Sequence, residues 1–579
     1  MSDRAILEKI LASPSFAPFI VRDQIIPARE ARYAPFPEGL HEALALALRR
    51  RGIEQIYAHQ AEVWEQVQQG RNTVVVTPTA SGKTLCYNLP VLQTLLADDK
   101  ARALYLFPTK ALSQDQQSEL NETLTGGVSE DAAGDWLGLP IKVVTYDGDT
   151  PDSLRIAARD QGRIVITNPD MLHAGVLPNH PRWIKFFSNL RYIVIDEIHS
   201  YRGVFGSHVA NVIRRLKRVA AFYGAQPRFI LCSATIANPR ELAEALTGEA
   251  VALVDRNGAP SGEKRVILYN PPLVDSVQGI RRSVVTESRR WMLAFLKAGV
   301  KTILFAHSRV KTEVAASYVN EDLKNINTDN RRIRVEAYRS GLLPNERREI
   351  ERGLRDGTIQ GVVSTNALEL GIDIGGLDAS VVAGFPGSFN SFWQQSGRAG
   401  RRGGTSVAVF VASASPIDQF IMNEPDWFFR AAAEEGRLDP DNPYIFTDHV
   451  KCACFELPFR DELMDSSSTA AGQEPFGPGL AEALAYLEED GIVRHTAGRW
   501  HWADRSYPAE GISLRSAGAD NVVIVDLTAG RNTVIGEMDR PSAKELIFKN
   551  AVYLHRGRQY LVESLDIENR KCLVREADV

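Results

Sequence analysis

Three short segments carry residue types at spacings that could transfer a phosphoryl group. The first, Thr77–Thr84 (TPTASGKT), follows a β-branched run and precedes an apolar helical stretch. In that setting the backbone N–H groups of Thr79, Ala80, Ser81 and Gly82, with a helix N-terminus behind them, cradle phosphates. Lys83 places a positive charge on the β- and γ-phosphates, and Thr84 offers a hydroxyl to Mg²⁺. Thr77 stands where the general pattern has Gly, so the strand–loop–helix context carries this reading. The second segment, YIVIDEIHS, sets Asp196, Glu197 and His199 at the end of an apolar run. Asp196 can hold Mg²⁺ through water there, and Glu197 can polarise an attacking water, because phosphoryl transfer is mostly positioning and charge stabilisation. A lone Asp more often caps the next helix, but DEIH in succession fits that role poorly. The third, Ser391–Gly403 (SFWQQSGRAGRRG), carries Gln394 and spaces Arg398 and Arg401 by about one helical turn. Arginines supplied by a neighbouring domain stabilise charge on a transferring phosphoryl group. Taken singly, these are a chance loop, a helix cap and a basic surface helix. Together they point to nucleoside triphosphate hydrolysis with Lys83, Asp196, Glu197, His199, Gln394, Arg398 and Arg401 as the catalytic set.

The elements that must hold these residues are legible as alternating strands and helices. Between about residues 73 and 235 the runs NTVVVT, ALYLF, IKVVTY, RIVIT, YIVID and FILCSA are apolar at nearly every position. That pattern predicts strands buried on both faces of a parallel sheet. A second series, KTILFA, RVEAY, GVVST, ASVVAGF and TSVAVFVA, runs from about 301 to 411. Two such series predict two doubly wound α/β domains, with ligands at the carboxyl ends of the strands. VDRNGAPSGEKR (254–265) reads as the linker between them. Further on, the polar stretch 461–479 reads as a flexible loop, and an amphipathic helix then precedes a hairpin turning at Ala497–Gly498. Helix followed by hairpin suggests a winged helix, and the alternating segments from about 507 to 579 suggest a small antiparallel β-barrel.

At 579 residues the chain is too long for one core. It has no apolar run of the roughly 18–20 residues that cross a bilayer, and its start lacks a secretory pattern, which points to the cytoplasm and to no membrane partner. The net charge of −5 argues against a protein that coats nucleic acid, though not against one with a local basic track. Basic runs at Arg49–Arg51, Arg214–Arg218, Arg281–Arg282 and Arg331–Arg334 are read as solvated faces. Packing is likewise the favoured fate of Trp393, Trp500 and Trp502 over base stacking. Five cysteines exclude a disulfide framework, and the pair Cys452 and Cys454 has no second pair nearby to complete a zinc site.

With these motifs in order, the chain resembles the superfamily 2 DExH-box helicases, over roughly residues 55 to 405. The resemblance implies two tandem RecA-like domains closing on ATP and Mg²⁺. It places an adenine-reading glutamine at Gln60 and further ATP contacts at Gly371 and Asp373. Nucleic-acid contacts are implied at Pro108, Thr109, Lys110, Asp147, Gly148, Thr167, Asn168, Ser308, Arg309 and Thr365. Ser233, Ala234 and Thr235 correspond to the motif that couples hydrolysis to strand movement. The implied layout is an N-terminal extension at 1–50, RecA-like domains at 51–255 and 256–440, a winged helix at 441–505 and an SH3-like β-barrel at 506–579. YRSGLLPNERREIE (338–351) and MDRPSAKELIFKNAVYLHRGRQYLVESLDI (538–567) resemble more narrowly the MrfA-type branch, mitomycin-repair relatives of RecQ-like helicases. That branch implies 3′-to-5′ movement on DNA and a role in DNA repair, so the expected partners are single-stranded and tailed duplex DNA, with a repair nuclease as a further candidate. It also implies a four-cysteine zinc domain, which this sequence, ending at Val579, lacks; the chain reads as truncated or as a shorter relative. Two other functions stay open at this point: an RNA helicase, since such motifs grip backbone, and a remodelling translocase that does not separate strands. Replacing Lys83 with Ala should abolish nucleotide hydrolysis in a phosphate-release assay, and undiminished release would remove TPTASGKT from the site.

Overall fold

The computed structural model describes residues 3–577, apart from 79–80, 126–138, 149, 276, 325–332, 340, 371–373, 401–404, 464–475, 516–520, 529–531 and 556–557. Its contacts divide the chain into two units. One comprises Arg32–Ala259 and Glu435–Ser516, the other Met1–Ala31, Pro260–Glu434 and Ala517–Val579.

The unit that carries the phosphate loop is built on a seven-stranded sheet in which every neighbouring pair is parallel. Its order is Val251–Val254, Asn72–Val76, Arg228–Ser233, Leu190–Ile195, Arg102–Leu106, Ile164–Thr167 and Val143–Thr145. Successive side chains of a strand face opposite ways, so apolar runs must fill two cores. Val74, Leu104 and Ile193 enter one core, while Val75, Tyr105 and Val194 enter the other. A winged helix packs in the same unit, with helices Pro443–Glu456 and Leu480–Glu489 and the hairpin Val493–Thr496/Arg499–Trp502. The hairpin turns where Ala497 and Gly498 take positive φ, the backbone a tight turn demands. Cys452 and Cys454 are buried in the first of these helices, where burial pushes both thiols up to about 12.

The winged helix is joined to the sheet's helix Gly203–Phe222 through a charge pair. Arg215, fully buried, donates from Nε to both carboxylate oxygens of Glu456 at 3.1 Å and again from Nη2. Its Nη1 lies 2.6 Å from His173 Nδ1 and 3.2 Å from His449 Nδ1. Burial and the adjacent guanidinium lower both imidazoles, His173 to about 3, so they accept as neutral rings.

The second unit carries another seven-stranded sheet, ordered Ile20–Ile26, Lys264–Tyr269, Ser406–Val411, Ala379–Ala383, Thr302–Phe305, Gly361–Ser364 and Val335–Tyr338. All its pairs are parallel except the first, where Ile20–Ile26 runs antiparallel along Lys264–Tyr269. Ile20–Ile26 is therefore the edge strand of this sheet. Ahead of it, Leu7 and Leu11 of helix Asp3–Leu11 and then Phe16 enter this unit's core, where Phe16 stacks on Trp291 at 4.0 Å.

The tail departs from the antiparallel barrel expected of it. It is a mixed five-stranded sheet ordered Thr533–Asp539, Asn521–Asp526, Lys571–Glu576, Arg558–Asp566 and Val552–His555, and Asn521–Asp526 is parallel to Lys571–Glu576. The cause is parity. Its five strands alternate in direction along the chain, so the first and fifth run the same way and can pair only in parallel. This sheet is anchored by Arg339, buried, which donates to Glu313 Oε1 at 2.9 Å and to Tyr553 Oη at 2.7 Å. The expected loop at 461–479 lies largely outside the described residues. Among the described residues no helix is long and apolar enough to cross a membrane.

Removing one partner of a buried pair strands the other charge, which costs about 3–5 kcal/mol, whereas an apolar replacement of both can be neutral. Glu456→Leu should therefore lower the chemical-denaturation midpoint markedly, and Arg215→Met/Glu456→Leu should recover most of the loss. An equal loss in both variants would mean that packing rather than charge holds the winged helix.

Candidate nucleotide and nucleic-acid site

Strand Asn72–Val76 ends against the phosphate loop, and helix Lys83–Ala97 leaves it from Gly82 at φ +76°. A side chain is excluded there twice over. The left-handed backbone favours glycine, and a Cβ would lie 2.8 Å from Gln60 Nε2. Gln60 acts as a latch on the loop: its Nε2 donates to Gly82 O at 2.8 Å while its Oε1 accepts from Tyr57 N at 2.8 Å. Thr77 Oγ1 and Ser81 Oγ share a 2.6 Å hydrogen bond across the loop. Lys83 Nζ donates to the carbonyls of Thr77 and Ser233, each at 3.2 Å, and so joins the loop to the Ser233–Thr235 motif. Thr84 begins the helix beside Lys83. Thr79 and Ala80 lie outside the described residues.

At the end of strand Leu190–Ile195, Asp196 and Glu197 are both buried. Burial, and after it the neighbouring Glu197, raise the Asp196 carboxyl above its ordinary range, with Lys83 opposing. A buried acidic pair of this kind suits a dication, whose charge would offset the desolvation. The donor set therefore fits Mg²⁺, which Asp196 and the Thr84 hydroxyl would hold. Glu197 sits at φ +53°, sparsely populated for a non-glycine residue. Its Oε2 is 3.3 Å from His199 Nδ1, and that nitrogen accepts from Ala234 N at 3.1 Å. Burial lowers His199 to about 4, against Glu197, so the ring is a neutral acceptor joining the acidic segment to the coupling motif.

The residues expected to grip a strand gather at the same sheet edge. Phe107 N donates to Thr167 O at 3.0 Å, and Thr167 Oγ1 donates to Tyr146 O at 2.6 Å. A Cβ on Gly148 would lie 3.3 Å from Lys110 Nζ, so Lys110 and Gly148 are neighbours. Asp147 Oδ1 accepts from Thr150 at 3.0 Å, and Asn168 caps the next turn by accepting from Met171 N at 2.8 Å. Thr109 accepts from Ser113 Oγ through its carbonyl at the start of the following helix. Sequence reasoning missed Arg515. It donates to Pro108 O and to Asp170 Oδ2 and lies 4.3 Å from the Phe205 ring centre, so it braces two of these loops. An isolated arginine after a hairpin gave no signal of this.

In the second unit, Ser308 caps helix Arg309–Lys324 by accepting from Lys311 N at 3.2 Å, with Arg309 as its first residue. Thr365 accepts from Ala367 N at 3.4 Å, and Gln394 is buried in helix Phe389–Ser396. Arg398 is fully buried, and its Nη2 donates to Glu369 O at 2.7 Å. Gly371, Asp373 and Arg401 lie outside the described residues.

The DEAD/DEAH box helicase family matches residues 57–243, and the helicase conserved C-terminal domain matches 288–403. The winged helix domain of the ATP-dependent helicase HRQ1 matches 438–517. An uncharacterized ATP-dependent helicase of Bacillus subtilis, YprA, is 53% identical over 557 residues, which are 96% of this chain and 71% of that one. The chain belongs to the superfamily 2 helicases of the MrfA/Hrq1 type. This helicase is also 34% identical to hrq1 of Schizosaccharomyces pombe over 99% of its length, but it spans only 53% of that relative. The crystal structure of the DUF1998 helicase MrfA bound to DNA superposes with a TM-score of 0.90 at 50% identity, covering 100% of this chain and 74% of MrfA. The MrfA complex with DNA and AMPPNP gives 0.90 at 51%, with 77% of that chain covered. Membership of this family makes the chain an ATP-hydrolysing helicase with two RecA-like domains and a winged helix.

Gly82→Ala should weaken ATP binding about tenfold or more, since a side chain held at positive φ costs of order 1–3 kcal/mol before its clash with Gln60. Titration with a fluorescent ATP analogue reads this directly, and unchanged affinity would mean that the loop tolerates another backbone.

Proposed function

We propose that this helicase is a DNA-stimulated motor that moves 3′ to 5′ on single-stranded DNA and separates tailed duplexes in DNA repair. The observation that carries the proposal is the likeness over the whole chain to MrfA in its DNA-bound structure. Gathering of the expected backbone-gripping loops at one edge of the phosphate-loop sheet adds to it, since such contacts position a strand without reading bases. In this reading Lys83 and the loop amides bind and orient the β- and γ-phosphates, while Gln60 faces the adenine. Thr84 and Asp196 hold Mg²⁺, which would supply charge stabilisation at the transferring phosphoryl group. Glu197 orients the attacking water, and His199 passes the state of the acidic segment to Ala234. Arg398 and Arg401 serve as fingers together with Gln394, and for Arg398 this requires release from Glu369 O. Gly371 and Asp373 complete the nucleotide contacts, and Ser308, Arg309 and Thr365 the contacts to the strand. Support for the polarity and the repair role comes from the resemblance to the MrfA-type branch, and a repair nuclease as partner and a cytoplasmic location belong to the same proposal.

Strand release and ATP turnover on matched 3′-tailed and 5′-tailed duplexes test this. Release confined to 3′-tailed DNA is the expected outcome. Release confined to 5′ tails would reverse the polarity, and a preference for RNA tails would overturn the DNA assignment. Stimulation by every tail without release would make the chain a remodelling translocase.

A further inference from the structure

Helix Lys83–Ala97 does more than start at the phosphate loop. One turn after Lys83 it presents two consecutive polar residues, Tyr87 and Asn88, both buried. Tyr87 Oη donates to Gln116 Oε1 at 2.9 Å and lies 3.5 Å from Asp196 Oδ2. Asn88 Oδ1 accepts from Tyr105 Oη at 2.9 Å. Tyr105 lies in strand Arg102–Leu106, and Gln116 in helix Lys110–Thr125. These are the two elements that flank Phe107–Leu112, so neighbouring residues of the phosphate-loop helix hold that gripping segment from both sides. The next residue of the same helix continues outward: Gln117 Oε1 accepts from Thr145 Oγ1 at 2.8 Å, just ahead of Asp147 and Gly148.

We infer that Tyr87 is a positioning residue through which the acidic ATP-site residue Asp196 is coupled to the strand-gripping loops, with Gln116 as its second partner. The inference rests on the reading of Phe107–Leu112 and Tyr146–Thr150 as nucleic-acid contacts. A phenol has one proton to donate. In the present geometry Gln116 holds it, while the Asp196 carboxylate stands just beyond as a competing acceptor. A change in charge around Asp196 alters that competition. Because Tyr87, Gln116 and Asp196 are buried, the loss or gain of one hydrogen bond among them is felt at helix Lys110–Thr125 rather than dissipated in water. Through Gln116 the change reaches Lys110, and through Gln117 it reaches Thr145. Coupling of this kind needs a contiguous set of packed polar contacts biased from both ends.

Tyr87→Phe removes the hydroxyl and keeps the ring. The test uses the whole chain, and its first readout is the affinity for a labelled single-stranded DNA, by fluorescence anisotropy, without and with a non-hydrolysable ATP analogue. The second readout is the ratio of ATP turnover with DNA to turnover without it. In the unsubstituted protein the analogue should shift DNA affinity and DNA should stimulate turnover. Tyr87→Phe should shrink both effects by about fivefold or more, the lower end of ordinary coupling between two sites. Gln116→Leu should do the same, the double variant should do no more, and Gln116→Glu, which keeps an acceptor, should restore most of the effect. If Tyr87→Phe does not fold, Gln116→Leu decides the matter alone. Full coupling in folded Tyr87→Phe or Gln116→Leu would overturn the role of Tyr87 while leaving the strand-contact reading intact. No coupling in the unsubstituted protein would overturn both.

Discussion

Parallel pairing is the constraint on which the phosphate-loop unit depends. Because its seven strands all run one way, their carboxyl ends lie along a single edge, and the loops that leave them cannot avoid one another. Thr77–Thr84, Phe107–Leu112, Tyr146–Thr150, Thr167–Asn168, Asp196–His199 and Ser233–Thr235 are all such loops. Two cores, one on each face, fix the edge rigidly enough for bonds of 2.6–3.2 Å to link one loop to the next. Asp196 and Lys110 thus sit on one scaffold, with Tyr87 within hydrogen-bonding reach of both Asp196 and Gln116 of the helix that Lys110 begins.

Those parts of the molecule that are buried on both faces were readable as sequence. Runs such as YIVID and FILCSA admit few other interpretations, and the polar residues that follow them name the loops. What escaped notice has a common physical character. Ile20–Ile26 was hidden because IVRDQII shows no alternation of apolar and polar residues: its exposed positions are Val21, Asp23 and Ile25, and Arg22 and Gln24 are half-buried. The parallel pair in the tail was hidden because strand parity is a property of the whole module and is absent from any single segment. Arg215, Arg339 and Arg515 were hidden for a third reason. An arginine in a helix or loop carries no local mark of the partner it will meet, and the partners Glu456, Glu313 and Asp170 are set by tertiary contact. Tyr87 and Asn88 sit between the apolar residues Leu85–Cys86 and Leu89–Leu92, where the favoured expectation for a tyrosine is packing.

Each accessory module is secured by the same device in a different unit. The winged helix is held through Arg215 and Glu456, and the terminal sheet through Arg339 and Glu313, with histidines or a tyrosine accepting the remaining guanidinium protons. A buried pair of this sort contributes little net stability compared with an apolar contact, yet it tolerates very few geometries. Its value lies in fixing how a module is oriented on its own unit.

The edge strand Ile20–Ile26 also has a consequence for biosynthesis. Its partner among the described residues, Lys264–Tyr269, emerges from the ribosome some 249 residues later, counted from the paired positions Ile20 and Tyr269. Everything from Arg32 to Ala259 is, in topological terms, an insertion between two adjacent strands of one sheet. The inserted unit can collapse around its own two cores while the nascent strand waits, and long-range pairing of this kind is slow to form. Charged Arg22 and Asp23 within that strand blunt its tendency to recruit another chain in the interval. The arrangement ties completion of the second sheet to prior synthesis of the first.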